Sequence, residues 1–168
     1  MILGLSFSAF TTLHVVVSLI GIAAGLIVLT GMINGRRLPG WTALFLVATI
    51  LTSVTGFLFP ISELLPSHVV GAVSLVVLAV ALVALYAFHL SGAWRSIYIV
   101  TAVLALYLNV FVGVVQAFQK LPFLQALAPT QSEPPFAVAH IAVLAVFALL
   151  GYLALRRFHP GARRAAPA

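Results

Sequence analysis

The stretch SHVVGAVSLVVLAVALVALYAFHL, residues 67–90, runs without a single Asp, Glu, Lys or Arg. About 20 consecutive apolar residues in a helix cross the hydrocarbon core of a bilayer, so this stretch predicts a transmembrane helix. Four further stretches of similar length and composition lie on either side of it. They cover residues 8–33, 40–60, 95–119 and 135–157. The sequence therefore predicts an all-α membrane bundle of five transmembrane helices.

The composition of the whole chain agrees with this fold class. Of its 168 residues, 64% are hydrophobic and 6% are charged, and the mean hydropathy is +1.26. Soluble domains carry about 25% charged residues, which this chain lacks. We expect one five-helix domain over residues 1–160 and a short basic cytoplasmic tail over 161–168. The chain has no cysteine, which excludes disulfides and thiolate metal ligands.

The positive charge is distributed unequally between the two sides of the predicted bundle. With five spans the connecting segments alternate sides, and seven of the eight Lys and Arg residues fall on one of them. These seven are Arg36, Arg37, Arg95, Arg156, Arg157, Arg163 and Arg164, whereas Lys120 lies on the other side. The positive-inside rule places the basic side in the cytoplasm, and hence the N-terminus outside. The net charge of +6 is thus a topology signal, and we expect the lipid bilayer and no nucleic acid as partner.

Polar and small residues form stripes on two of the predicted helices, with steps of four, three and four residues. On the first helix the stripe is His14, Ser18, Gly21 and Gly25. On the fourth it is Asn109, Gly113, Gln116 and Lys120. These steps put each stripe on one helix face, and polar groups in membrane helices tend to face the bundle interior. The two glycines of the first helix also allow a neighbouring helix to approach closely.

Several ionisable side chains are expected near the outer end of the bundle. His14 and His140 lie at similar depths, roughly 8–10 Å below the outer boundary at 1.5 Å per helical residue. Gln116 is expected at roughly 6 Å by the same rise. His68 is expected at the outer surface, and both acids, Glu63 and Glu133, fall in outer loops. Pro134 and Pro135 predict an abrupt helix start, with Glu133 near the positive end of the helix dipole.

Two segments resemble a known group of proteins. The run ALYLNVFVGVVQAF, residues 105–118, and the run LAPTQSEPPF, residues 127–136, resemble a group of small uncharacterised polytopic inner-membrane proteins of bacteria. The resemblance extends from about Thr52 to His140. It implies the inner membrane of a bacterium as the location, and it implies no particular activity.

Three functions remain open from the sequence. In the first, His14 and His140 ligate a b-type haem or a transition metal, with His68 or Gln116 as a third ligand or supporting partner. Lys120 and Glu133 would then guide a quinone or a proton. In the second, the protein is an accessory or assembly subunit of a larger membrane complex. In the third it is a small channel or carrier that uses the polar stripe from Asn109 to Lys120.

The two inner histidines, His89 and His159, are not favoured as ligands. Each pairs along the sequence with a histidine about 20 residues away, and such a gap corresponds to roughly 30 Å of helix, the whole hydrocarbon thickness. We therefore expect no haem at the inner end. The chain also lacks a phosphate-binding loop and an HExxH run, which leaves NTPase and metalloprotease functions without support.

Overall fold

The computed structural model describes residues 2, 4–59 and 66–160, without the side chains of residues 66 and 67. Five long helices account for most of these residues, and a short helix precedes the last of them. The helices are α1 (Phe7–Ile33), α2 (Pro39–Gly56), α3 (Pro66–Leu82), α4 (Ala93–Lys120), α5 (Pro122–Leu127) and α6 (Pro134–Arg157). All of these helices except α5 are long and apolar enough to cross a membrane. For α3 this holds when the turn that follows it, residues 83–87, is included. The prediction of an all-helical chain with five such helices is confirmed.

The helix ends follow from local sequence. The Ser6 side chain caps α1 by accepting a hydrogen bond from the amide of Ala9 at 3.2 Å. Proline occupies the first turn of α2 and of α6, where its missing amide hydrogen removes no helical bond. Gly92, with φ of 51°, precedes α4 and adopts a left-handed conformation that glycine accepts without steric cost. A serine, a proline or a glycine thus marks each of these helix starts, and the helix interiors are almost entirely apolar.

The five long helices form a closed ring in the order α1, α2, α3, α4 and α6, and each contacts its two neighbours. α1 and α4 also contact each other across the ring, which places these two helices at the centre of the bundle. Small buried residues such as Ala24, Ala102 and Ala105 allow this approach. Larger buried side chains, among them Phe45, Leu46 and Leu106, fill the remaining space.

Glycines of the predicted stripes differ in how closely they are packed. A Cβ atom placed on Gly25 would come within 2.5 Å of Leu106 and 2.9 Å of the Phe45 ring. On Gly21 it would lie 3.2 Å from both the Asn109 amide nitrogen and the Thr49 hydroxyl. Gly113 is exposed, and its added Cβ would meet only Ile22, at 3.8 Å. The first two glycines therefore lie at close helix crossings, whereas Gly113 does not.

Hydroxyl side chains in the helices are mostly satisfied by their own helix. Seven threonines donate to a carbonyl three or four residues earlier: Thr11, Thr12, Thr30, Thr49, Thr52, Thr55 and Thr101. Ser18 and Ser53 do the same. Such local bonds are common for hydroxyl residues in membrane helices. On α2, the hydroxyls of Thr49, Thr52 and Ser53 are therefore each bonded to a carbonyl of their own helix.

The end of α3 departs from the predicted continuous helix. Residues Val83–Ala87 form a single π-helical turn, in which the Phe88 amide donates to the Val83 carbonyl at 3.1 Å. His89 and Leu90 follow with φ of 51° and 62°, in the left-handed region that costs a side-chain-bearing residue about 1–2 kcal/mol. Phe88 stacks on Trp94 with ring centroids 3.9 Å apart, which holds the connection to α4. Hydropathy alone carried no sign of this turn.

Candidate functional site: a basic cavity at one end of the bundle

The two ends of the bundle differ in charge, as the sequence predicts. Arg36, Arg37, His89 and Phe158 all line one cavity, so the connections after α1 and α3 and the end of α6 lie at the same end. We call this the basic end. Lys120 ends α4 at the opposite end, which we call the histidine end. Arg163 and Arg164, which the predicted topology assigns to the basic end, lie outside the described residues, and so does the acid Glu63.

At the histidine end, His14 faces α2. Its Nδ1 lies 2.7 Å from the Thr55 hydroxyl, and its ring meets the Phe59 ring edge-on at 5.2 Å. The Ser18 hydroxyl donates to the His14 carbonyl, and Asn109 donates from its side-chain amide to the Ser18 carbonyl at 3.4 Å. The predicted stripes of the first and fourth helices therefore meet at Ser18 and Asn109. His14 belongs to a polar contact between three helices.

His140 has a different set of neighbours. Its Nδ1 is 2.9 Å from the Phe136 carbonyl of its own helix, and its ring packs against Phe111 at 4.6 Å and Phe136 at 4.3 Å. Its Nε2 is buried and has no hydrogen-bond partner among residues 66–160 or the rest of the described chain. The contacts of His14 lie on α2 and beyond its end, whereas those of His140 lie on α4 and α6. The structure thus gives the two predicted ligands separate surroundings.

The other residues of the predicted histidine site are spread over several helices. His68 is buried in the first turn of α3, with its ring 5.9 Å from that of Phe57. Gln116 and Lys120 are exposed on α4, and Asn109 is buried on the same helix, further from the histidine end. Within the described ranges, no three His, Asp or Glu side chains form a group that could hold a metal ion. Haem or metal binding by His14 and His140 stays a prediction without support from this geometry.

Glu133 organises the turn before α6. Its carboxylate accepts hydrogen bonds from the Thr130 amide at 3.1 Å, the Thr130 hydroxyl at 2.9 Å and the Ser132 amide at 3.0 Å. Glu133 is the N-cap residue of α6, yet its side chain makes no capping bond to that helix. The sequence predicted the position correctly, but the carboxylate binds the preceding turn. Gln131, whose amide donates to the Val115 carbonyl, joins this turn to α4.

The Glu133 turn is expected to depend on pH. Desolvation acts to raise the pKa of the Glu133 carboxyl, but the hydrogen bonds from Thr130 and Ser132 outweigh it and lower the pKa below its ordinary value. Because the charged form is favoured in the folded state, the turn is fully stabilised above the ordinary carboxyl pKa and loosens as the pH falls through the lowered one. NMR protection factors of the Thr130 and Ser132 amides should drop over that acidic range.

Glu133→Gln is the matched variant for this measurement, because glutamine keeps a side-chain oxygen but does not titrate. It should show weaker protection of the same two amides at neutral pH and no acidic step. Equal protection of the wild-type amides at pH 7 and at pH 3 would contradict the assigned role of the carboxylate.

The basic end contains a cavity of about 420 Å³. Its deeper wall is apolar and comes from three parts of the chain: Val28 and Met32 of α1, Leu85 and Leu90 near the end of α3, and Phe158 after α6. Volumes of about 300–1,000 Å³ are typical of sites for small ligands, and such sites are mostly apolar with a few placed polar groups. The cavity therefore has the size and lining of a ligand site.

Polar groups lie at two levels of this cavity. Arg36 and Arg37 are exposed at its mouth, together with His89. Thr42 near the start of α2 and Tyr98 near the start of α4 also line the cavity, and each carries a hydroxyl. Thr42 and Tyr98 are 7% and 2% exposed, so their hydroxyls sit in an otherwise apolar wall. A ligand in the cavity would meet positive charge first and a hydroxyl pair deeper in.

The two arginines at the mouth have side chains that engage nothing in the described part of the molecule. Among residues 2, 4–59 and 66–160, no hydrogen bond or ion pair involves either guanidinium. By contrast, Arg95 donates to the carbonyls of Leu155 and Phe158, and Arg156 donates to the Tyr152 hydroxyl. The acid that the structure describes, Glu133, lies at the histidine end. The mouth of the cavity is thus positively charged and has no described counter-ion.

The π-helical turn shapes this cavity. The π-helical turn is followed by two left-handed residues, His89 and Leu90, and the Leu90 amide donates to the Ala84 carbonyl at 3.0 Å. Leu90 is thereby buried in the cavity wall, and the adjacent His89 reaches the mouth. π-Helical turns and left-handed residues recur at functional sites, where the surrounding structure offsets their strain. His89, set aside as a haem ligand by its spacing, belongs to this second candidate site.

The sequence contained part of the signal for this site. The predicted topology places Arg36, Arg37 and His89 on one side, but charge segregation alone indicates orientation for the two arginines, and the spacing of His89 argues only against a haem ligand. Comparison of the chain with protein-family models, curated proteins and solved structures finds no match to any of them. The functional argument therefore rests on the geometry of the cavity.

Proposed function

We propose that this protein binds an anionic amphiphile in the cavity at its basic end. The observation that carries the proposal is the pairing, in one cavity, of two unengaged guanidinium groups with a deep apolar wall. Either feature alone is common at the end of a membrane protein. Together they match a molecule with a negatively charged head and an apolar chain.

The head group that fits best is a phosphate. A guanidinium presents planar, paired donors that match phosphate oxygens, and two adjacent arginines can share a doubly charged monoester. His89 at the same mouth adds an imidazole nitrogen as a further hydrogen-bonding group. With about 420 Å³ the cavity matches the head group and first part of a single acyl chain, whose remainder would lie in the bilayer.

The proposed orientation follows from charge. We place the protein in the inner membrane of a bacterium, with its N-terminus outside and its C-terminus in the cytoplasm. The basic residues of the connections between helices support this orientation by the positive-inside rule. The cavity would then open at the cytoplasmic leaflet, whose anionic lipids attract basic groups by about 1 kcal/mol each.

Binding can be followed by tryptophan fluorescence, because both tryptophans of the chain, Trp41 and Trp94, lie in the first turns of α2 and α4 at the basic end. The full chain in nanodiscs of net-neutral lipid is titrated with a single-chain acylglycerol phosphate. The same acyl chain carrying a phosphocholine head serves as the neutral comparison. We expect saturable binding of the phosphate monoester at least about tenfold tighter, the equivalent of one charge-assisted hydrogen bond.

The double variant Arg36→Gln/Arg37→Gln should lose this preference for the phosphate head. Arg156→Gln is the matched control: it removes one positive charge from the same end, but its guanidinium is engaged by Tyr152 and does not line the cavity. Inorganic phosphate alone should bind far more weakly, because it gains nothing from the apolar wall. Equal binding of the two heads, or an equal loss in Arg156→Gln, would refute the proposal.

A further inference from the structure

Thr42 differs from every other threonine in the described helices. The seven others donate their hydroxyl hydrogens to a carbonyl of their own helix, as set out above. The Thr42 hydroxyl makes no such bond, although the Leu38 carbonyl lies one turn before it. Thr42 and Tyr98 both line the cavity, and in the described part of the chain neither hydroxyl has a hydrogen-bond partner.

The two hydroxyls can therefore donate to a ligand. Each carries one hydrogen. Neither oxygen is fully enclosed within the described part of the chain, so both can be reached from the cavity. A bound molecule with an acceptor at this level would satisfy these hydrogens.

The depth of the pair indicates which acceptor a bound amphiphile would present. Thr42 and Tyr98 follow the helix starts at Pro39 and Ala93 by three and five residues. At 1.5 Å per residue, their hydroxyls lie roughly 4–8 Å inside the level of the mouth. In a 1-acylglycerol phosphate the glycerol hydroxyl comes first, and the ester carbonyl follows as a strong acceptor a few bonds further from the phosphate. It would arrive at this level when the phosphate is held by the arginines.

We infer that the Thr42–Tyr98 hydroxyl pair donates a hydrogen bond to an ester carbonyl, so that the site selects acyl-ester phosphates over ether-linked ones. This inference rests on the proposed function and specifies its ligand class. An ether oxygen at the same place is a much weaker acceptor and lies on the chain itself. The pair thus acts as a specificity-determining element, and the arginines supply the affinity for the head.

The test compares two probes that differ in one group. The full chain in nanodiscs of net-neutral lipid is titrated with a 1-acylglycerol phosphate and with the 1-O-alkyl analogue of equal chain length. One neutral hydrogen bond is worth about threefold to tenfold in affinity, and we expect the ester to be favoured by that factor. Tyr98→Phe and Thr42→Val should each lower this ratio, because each removes one of the two donors, while the preference for phosphate over phosphocholine persists.

Two variants control for effects on packing. Thr42→Ser keeps the hydroxyl and should retain the ester preference. Thr49→Val removes a buried hydroxyl from the same helix, but one already bonded to the Phe45 carbonyl, and should leave the ratio unchanged. Melting temperatures of all four variants show whether each protein is folded, and Tyr98→Phe preserves the shape of the ring if Thr42→Val proves unstable.

The outcomes separate the two proposals. If neither phosphate probe binds in preference to the phosphocholine lipid, the proposed function is wrong. If both phosphate probes bind with the same affinity to the wild-type protein, the arginines hold the head as proposed and the role of the hydroxyl pair is wrong. An ester preference that is undiminished in both Tyr98→Phe and Thr42→Val would likewise overturn the assignment of that pair.

Discussion

Replacing Gly25 with leucine is expected to lower the melting temperature of the detergent-solubilised protein by about 5–10 °C. Even a methyl group at this position would meet Leu106 and the Phe45 ring at less than 3 Å, and both residues are 1% exposed. The ring belongs to a rigid side chain of α2, so α1 must move away from its neighbours. Overpacking of this kind costs about 1–3 kcal/mol, and leucine exceeds a methyl group by three carbons.

Gly113→Leu provides the matched comparison on α4. The same side chain enters open space there, with Ile22 at ordinary contact distance, and the melting temperature should change little. Gly25→Ala should fall between the two. Unchanged stability of Gly25→Leu would mean that α1 does not cross its neighbours as closely as described, and the position of the cavity at its end would have to be reconsidered.

Arg95→Met is the second substitution with a large expected effect. The Arg95 guanidinium donates to the carbonyls of Leu155 at 3.2 Å and Phe158 at 2.7 Å, which close the end of α6. Carbonyls at a helix end have no partner within the helix, and hydrogen bonds from a charged donor contribute about 1.5–3 kcal/mol. Methionine keeps most of the apolar stem and removes both bonds. We expect the free energy of unfolding to fall by about 2 kcal/mol and proteolysis after residue 157 to become faster.

The control for Arg95 is Arg156→Met. It removes the same charge from the same end, but this exposed arginine bonds only to Tyr152 of its own helix. Exposed contacts of this type contribute little, so its melting temperature should stay near that of the wild type. Should both variants melt alike, loss of positive charge in general, and not the closure of α6, would be the cause.

The sequence predicted the five long helices well because the bilayer imposes a length and because chain breaks are chemically distinct. Proline and glycine mark the starts of α2, α4 and α6, and the predicted bounds agree with the structure within a few residues at these ends. The second helix ends earlier than expected, at Gly56 instead of Pro60, because the chain turns at Phe57. The short helix α5 lies in a segment predicted as loop, and its few residues carry no spanning signal.

The site was harder to predict for a physical reason. Depth along a helix follows from counting residues, and the depths predicted for His14 and His140 stay predictions. Which face a side chain presents to which neighbour depends on the crossing of helices, and this separated the surroundings of His14 from those of His140. The cavity depends on a π-helical turn and on the left-handed His89 and Leu90. No residue type in the sequence signals either deviation, because the two left-handed positions are not glycines.

The hydrogen bonds that hydroxyl side chains make within their own helix have a consequence for biogenesis. A helix whose threonines and serines already have partners exposes few unsatisfied groups when it enters the bilayer alone. Most helices of this chain can therefore insert one after another, before any of them has met its neighbour. Recognition between them then relies largely on shape, with Gly21 and Gly25 as the recesses that admit α2 and α4. The hydrogen bonds of His14, Asn109 and Arg95 to other helices can form only after these neighbours have come together, so they complete the assembly of the bundle and do not start it.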